Sequence, residues 1–276
     1  MKNQTLAKYQ AFKALHDDTF VIPNPWDAGT ARILTALGYK ALATTSAGYA
    51  FSQGKKDSAR CLSRDDILAN ARAIVQATDL PVSADLENGF GDAPEACAQT
   101  IRAASEAGLV GGSIEDASGN PDMPIYDFAH AVERVTAAVE TARGLPFMVT
   151  ARAENFLRGR PDLEDTIKRL QAFEAAGADV LYAPGLRDIA AIRAVCAAVS
   201  KPVNVVMGLS GPTITVDELR AAGVTRISVG GSFARAALGG FMRAAQEVLE
   251  TGSFTYAKDA LPDAVASGFM ASGPAE

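Results

Sequence analysis

A single (β/α)8 barrel over residues 1–276, with a C-terminal extension at 252–276, is the architecture that this sequence predicts. Three observations predict it. Short β-branched runs alternate with Ala-rich segments of helical period. Four helical segments close on a glycine, and an apolar strand follows within a few residues. No Pro- or Ser-rich linker divides the chain. Repeated strand–helix units favour parallel strands joined by right-handed crossovers, and eight of them close most economically into a barrel. An open doubly wound sheet is the alternative, but no Gly-x-Gly-x-x-Gly follows the first strand.

In chain order, the N-terminal segment reads as a helix carrying His16. The first strand is expected in Thr19–Pro23, the second in Lys40–Ser46, the third in Leu80–Glu87 and the fourth in Gly108–Asp116. The remaining four fall in Leu145–Glu154, Ala178–Gly185, Lys201–Gly208 and Thr225–Gly231. Between them, stretches such as "DAPEACAQTIRAASEAG" and "DLEDTIKRLQAFEAAG" repeat apolar residues at helical spacing. The closing phrases "TALGYKAL", "SEAGLVGG", "EAAGADVL" and "RAAGVTRI" place Gly38, Gly108, Gly177 and Gly223 as helix caps. After the eighth helix, the tail carries Phe254, Tyr256, Leu261, Val265, Phe269 and Met270, too many apolar groups for a solvated end. Pro262 suits the first turn of a short helix with Leu261, Val265 and Phe269 on one face.

With 48% hydrophobic and 21% charged residues, the composition is that of an ordinary globular chain. No apolar run reaches the roughly 18 residues that span a bilayer, and the N-terminus has no signal-peptide core, so a cytoplasmic location is expected. The net charge of −6, with bases dispersed among acids, argues against nucleic-acid and membrane-surface partners. Cys61, Cys97 and Cys196 form no C-x-x-C pair and read as free thiols.

In a barrel of this kind the C-terminal strand ends carry the chemistry. Those ends read Asn24 and Trp26; Ser46; Asp85 and Glu87; Glu115 and Asp116; Arg152 and Glu154; Tyr182; Asn204. The opposite ends are mostly Leu, Pro, Lys and Ala. Asp85, Glu87 and Glu115 are acids on neighbouring strands aimed at one axis, and clustered buried carboxylates do not all ionise without a cation. A hard divalent ion resolves the repulsion, and an all-oxygen set fits Mg2+, with Mn2+ as the alternative, better than zinc. Arg152 supplies a planar cation suited to a substrate carboxylate.

Blander readings stand beside each of these. An isolated Asp-x-Glu is a common solvated loop start, Glu115–Asp116 alone suits a cap, and Arg152–Glu154 alone suits a structural ion pair. Their gathering at one barrel end favours a site. His16 and His130 fall in helices, as surface or packing residues. Cys61 follows the second strand's long loop, and no histidine is placed to activate it as a nucleophile. Gly230–Gly231 before Ser232 fits a phosphate cradle or simply a tight strand-to-helix turn.

The stretches "NPWDAGTARILTALGYKALATTSAG", "SADLENGFGD", "GGSIED" and "TARAEN", in this order and spacing, resemble the isocitrate lyase/phosphoenolpyruvate mutase superfamily. Within it the chain looks like a phosphoenolpyruvate phosphonomutase-like member without the lyase cysteine loop. The resemblance implies a barrel that binds Mg2+ and a 2-oxo acid or enolate fragment. It casts Asp85 as the direct metal ligand, and Asp57, Glu87 and Glu115 as holders of metal-bound waters. Ser46 and Ala47 match the pair whose N–H groups, with the serine hydroxyl, bind the substrate carboxylate. Arg152 matches the arginine that reaches the substrate's oxygens; Trp26 and Asn204 join the substrate-binding set, and Arg152, Asp57 and Glu115 the catalytic one. It also implies C-terminal helices exchanged between subunits, giving a homodimer or homotetramer.

Two departures narrow the chemistry. Glu87 stands where many members have Asp, and Ala47 where glycine is common. The loop after the fourth strand, "IEDASGNPDMPIYD", lacks the Lys-Lys/Arg-Cys-Gly-His motif of isocitrate and methylisocitrate lyases and the lysine of phosphonate mutases. The surviving expectation is a Mg2+-dependent lyase or decarboxylase acting on a small 2-oxo dicarboxylic acid such as oxaloacetate. A carboxyphosphonoenolpyruvate- or phosphonopyruvate-type enzyme is the alternative within the family, and a non-catalytic 2-oxoacid-binding barrel the alternative outside catalysis. Residues that read the distal end of the substrate are expected in the atypical loop.

Overall fold

Eight parallel strands run side by side around one axis in the order β1-β10-β9-β8-β7-β4-β3-β2. The computed structural model describes residues 2–57, 61–209 and 211–271. The strands are β1 (Phe20–Ile22), β2 (Leu42–Ala43), β3 (Val82–Asp85), β4 (Gly111–Glu115), β7 (Met148–Arg152), β8 (Val180–Tyr182), β9 (Val203–Val206) and β10 (Arg226–Ser228). Each lies inside one of the eight expected runs. The outer helices are α2 (Ala28–Ala36), α4 (Arg64–Gln76), α5 (Pro94–Glu106), α6 (Phe128–Ala142), α7 (Leu163–Ala176), α8 (Ile189–Ala198), α9 (Val216–Ala221) and α10 (Ser232–Thr251). A short α3 (Ser46–Ser52) follows β2 directly. Gly38, Gly108, Gly177 and Gly223 all hold φ near +90° to +102°, the left-handed turn that releases the chain from a helix into the next strand.

Ladder bonding runs through seven neighbouring pairs and leaves β1 and β2 as the two edges. That seam is closed by other means. The Ala43 N–H donates to Pro23 O at 3.0 Å. The Asn24 side chain donates to Thr44 O at 2.9 Å and accepts from the N–H groups of Val229 and Gly230, each at 2.9 Å. One amide thereby ties the ends of β1, β2 and β10 together.

The N-terminal end of the barrel is closed by α1 (Lys2–Ala14) and a 3-10 turn (Leu15–Asp17). Phe12, fully buried, packs with Ala41, Val110, Met148 and Val180, residues at or beside that end of their strands. His16 lies edge-on between Phe12 and Phe20 and donates from Nδ1 to Phe12 O at 2.8 Å. Burial pushes its imidazole down to about 4. It is a packing residue, remote from the strand ends that carry the acids.

Two features were not legible as such. The segment after β4, expected as a loop, forms a hairpin of β5 (Ala117–Asn120) and β6 (Met123–Ile125), pairing Ala117 with Ile125 and Asn120 with Met123. The other feature is α10. Among its 20 residues only Ala234 is buried, while Phe241, Met242 and Leu249 are 72%, 55% and 86% exposed. The tail then forms a 3-10 turn (Thr255–Asp259) and the expected short helix, α11 (Asp263–Ala271), with Pro262 one residue before its first turn rather than within it. In the single chain α11 rests on α2, where a Cβ on Gly29 would sit 3.6 Å from Met270 Cε. Among the described residues no helix is long and apolar enough to cross a membrane.

Candidate active site

Parallel register brings the charged strand ends level. Asp85 lies beside Ser113, and Glu115 beside Arg152. Arg152 is the hub. Its Nη1 is 3.0 Å from Asp85 Oδ1, and its Nη2 is 3.0 Å from Glu115 Oε2 and 2.8 Å from Glu154 Oε1. Its Nε donates to the same Glu154 oxygen at 2.9 Å. The guanidinium also lies 5.2 Å from the Tyr182 ring centre. One cation thus serves three carboxylates. Arg158 reinforces it from the turn after β7, 3.3 Å from Glu115 and 3.5 Å from Glu154. Ser46, at the start of α3, donates its hydroxyl to Asp85 Oδ2 at 2.9 Å.

These groups surround a cavity of about 320 Å³ whose wall includes Ser46, Ala47, Asp57, Asp85, Glu87, Glu115, Arg152 and Arg158. Glu87 enters it from a turn of unusual backbone. It holds φ +47°, and Phe90 holds φ +61°; such left-handed non-glycine residues cost on the order of 1–3 kcal/mol each. The turn is braced from below. Fully buried Arg134 donates to the carbonyls of Asn88, Gly91 and Asp92 and lies 4.3 Å from the Tyr126 ring centre. Gly89 (φ +80°) admits no side chain, since a Cβ would stand 2.9 Å from Cys97 Sγ and 3.1 Å from Cys97 Cα. Deeper still, Arg169 pairs with Asp116 at 3.0 Å and Asp165 at 2.8 Å, fixing the start of the hairpin.

Electrostatics follow from the shared guanidinium. Burial, then Glu154, pushes the Glu115 carboxyl up to about 8 despite two arginine contacts, because Arg152 is divided among three acids. Glu87 is pushed up to about 7 by burial and then by Asp85 and Asp57. Asp57, at the solvent-open mouth, is raised by partial desolvation and by Asp85. Burial works against the Arg152 charge, but Glu154, Glu115 and Asp85 more than offset it and hold its pKa well above the usual value. The pocket carries more negative charge than its arginines neutralise comfortably.

Of the residues singled out in the sequence, Ser46, Ala47, Asp57, Asp85, Glu87, Glu115 and Arg152 come together in this wall. Asn204 does not reach it. It lies deeper in the barrel, donating to Ser228 Oγ at 3.0 Å and accepting from Arg226 Nε at 2.9 Å. Trp26 is absent from the wall; its backbone carbonyl accepts from Asn70, and its Cβ lies over Gly48. Gly230 and Gly231 line the cavity, with the Gly230 N–H already engaged by Asn24. Cys61 packs against the core outside the wall, and His130 bonds to Asp92 O at 2.8 Å on the outer face of the barrel. The hairpin contributes only Ala117 and Gly119. Sequence reasoning placed Glu154 at a strand end without giving it a role, and it passed over Arg158. The signal for both was present, since Glu154 and Arg158 stand four apart just beyond β7.

Among the described residues no three Asp, Glu, His or Cys side chains form a complete metal cage. The donor set is nonetheless suited to a hard cation. Its carboxylates are oxygen donors only, two of its carboxyls are pushed up to about 7 and about 8 by burial and then by neighbouring acids, and the cavity has room for retained waters.

A parallel barrel with acids and an arginine gathered at its C-terminal strand ends defines an enzyme-like site of the (β/α)8 class. The model of the phosphoenolpyruvate phosphomutase family matches residues 12–249, and the chain belongs to that family within the isocitrate lyase/phosphoenolpyruvate mutase superfamily. It is 56% identical to a candidate lyase/mutase from Burkholderia cenocepacia J2315, with a TM-score of 0.95 over 98% of both chains. An oxaloacetate acetylhydrolase bound to its product oxalate aligns with a TM-score of 0.85 at 25% identity, over 97% of this chain and 95% of that one. The 2-methylisocitrate lyase of Escherichia coli K12 is 29% identical over 206 residues, 72% of this chain and 69% of the relative. Membership supports catalysis at a C–C or C–P bond of a small carboxylic acid.

Proposed function

We propose that the chain is a Mg2+-dependent lyase or decarboxylase that breaks the C–C bond next to the enolate carbon of a small 2-oxo acid such as oxaloacetate. The observation that carries this reading is the Arg152 hub, a single guanidinium shared by Asp85, Glu115 and Glu154 at the base of an acid-lined cavity. Asp85 would hold the ion directly, with Glu87, Glu115 and Asp57 acting through water. Bound there, Mg2+ or Mn2+ supplies positive charge that lowers the energy of a developing enolate oxygen.

The chain's own residues do the rest. The Ser46 hydroxyl and the N–H groups of Ser46 and Ala47 hold the substrate carboxylate. Arg152 turns one N–H edge to the substrate's oxygens while Glu154 fixes its other edge. Glu115 and Glu87, whose carboxyls burial pushes up to about 8 and about 7, order the surrounding waters. In oxaloacetate the C3–C4 bond breaks, CO2 leaves, the electron pair remains on C3, and protonation at C3 gives pyruvate. The lyase and acetylhydrolase relatives support C–C cleavage. The family model's own description favours a second reading, P–C bond chemistry, although the hairpin supplies no lysine.

The experiment is a screen of oxaloacetate, substituted malates and phosphonopyruvate, with and without Mg2+, read by proton and phosphorus NMR. Metal-dependent pyruvate supports the first reading; oxalate plus acetate would assign hydrolysis of the C2–C3 bond instead, and movement of phosphorus supports the second. Binding without turnover of any acid would make the chain a 2-oxoacid-binding barrel. Calorimetry on Asp85→Ala should show Mg2+ binding abolished with the fold retained, and unchanged affinity would end the metal assignment.

A further inference from the structure

The active-site cavity has a neighbour. A second cavity of about 390 Å³ shares Leu157, Val206 and Leu209 with it as walls, beyond the ends of β8 and β9. The two differ in chemistry. The acids and arginines of the first cavity come mainly from the β3, β4 and β7 side, whereas its β8–β9 side offers Pro184, Val206 and Leu209 beside Tyr182. The second cavity continues that apolar side with Leu186, Met207 and Ile214. Among the described residues its only charged side chain is Arg187, whose methylenes lie against Gly211, where a Cβ would sit 3.2 Å from Arg187 Cδ.

We propose that this second cavity receives the distal part of the substrate, and that this part is a hydrocarbon chain rather than a second carboxylate. The inference rests on the 2-oxo acid head being held in the first cavity, as proposed above. Each cavity alone is at the scale of a small-molecule site. A four-carbon diacid is satisfied by the first, and a chain leaving the head toward Val206 and Leu209 meets apolar walls. Burying methylenes against Leu186, Met207 and Ile214 releases ordered water, whereas a carboxylate placed there would meet one solvent-exposed arginine. The natural substrate is therefore a 2-oxo or 2-hydroxy acid carrying an alkyl substituent of several carbons.

Calorimetric titration of the wild-type protein with pyruvate and with 2-oxohexanoate, both in Mg2+, tests this. The longer acid should bind at least about tenfold more tightly, well within what burial of three methylenes allows. That gain should shrink to about twofold in Ile214→Asp, and in Thr213→Glu, an exposed position that keeps the proposal testable where the first variant fails to fold. Equal or weaker binding of 2-oxohexanoate would overturn the chain subsite while leaving the head in place. A gain that survives in the folded variants would also overturn it, by placing the chain elsewhere. If neither acid binds with or without metal, the head assignment falls and this inference falls with it.

Discussion

Replacing Arg152 by glutamine removes the only cation that touches Asp85 and the principal one for Glu115 and Glu154 among the described residues. Four contacts of 2.8–3.0 Å are lost at a side chain only 12% exposed. Leaving buried charge without its partner costs about 3–5 kcal/mol, or a fall in Tm of roughly 6–20 °C for a chain of this size. The pH dependence has a definite sign. A carboxyl whose folded pKa lies above its unfolded value binds more protons in the folded state between the two values, so stability declines as pH rises through that window. For metal-free wild type the windows run from the ordinary glutamate value to about 7 for Glu87 and about 8 for Glu115. Without Arg152 both move upward. The variant's deficit should then be smaller at pH 5.5, where the acids are protonated, and larger at pH 8. Thermal unfolding in EDTA at the two pH values measures this, and Mg2+ at pH 8 should restore part of the loss. A fall below 2 °C at pH 8, or an equal fall at both, would refute the picture of a charge-deficient pocket held by one guanidinium.

Arg134→Met removes donors to three carbonyls of the turn that carries Glu87 and should cost about 2–5 kcal/mol. In a Cys61→Ser, Cys196→Ser background the variant's fully buried Cys97 should become reactive to a thiol reagent, and continued protection would show that the turn holds itself. Deleting residues 252–276 should lower the oligomeric state measured by light scattering. The exposed Phe254, Leu261 and Val265, with the exposed apolar residues of α10, are the groups that such an assembly would cover. A truncated protein with unchanged assembly would exclude the extension from the interface.

Much of this was legible because the repeat is local. Glycine caps followed by apolar runs mark every barrel strand that they precede, and all eight strands fall inside the expected stretches. The acids and Arg152 were legible because strand ends are sequence positions, and the parallel register aligns them. What escaped depends on contacts that no periodicity announces. The β5–β6 hairpin has neither strict alternation nor a two-residue Asn-Gly turn, and its register is fixed by Ser118 reaching Met123 O and by Tyr126 N–H bonding to Asp116 O at 2.8 Å. Arg158 lies on an exposed turn, and only the fold shows it leaning back over Glu115. The exposure of α10 escaped for the opposite reason. Its apolar residues follow the helical period of a packed helix, and the period does not tell whether that face is covered.

The seam between β1 and β2 gives the site a mechanical asymmetry. Asp85, Glu115 and Arg152 end strands bonded on both flanks, whereas β2, which leads through Thr44 and Thr45 into Ser46 and Ala47, is laddered only to β3. The turn proposed to hold the substrate carboxylate therefore hangs from an edge stave of the barrel, while the acid cluster stands on strands laddered on both sides. Breathing at the seam needs only the Ala43 amide and the Asn24 side chain to let go, with the rest of the ladder intact. Amide hydrogen exchange at Ala43 should accordingly outpace that of Leu181 in the middle of β8. Ligand that grips Ser46 and Ala47 against the acid side would slow Ala43 selectively, acting as a clasp across the open edge.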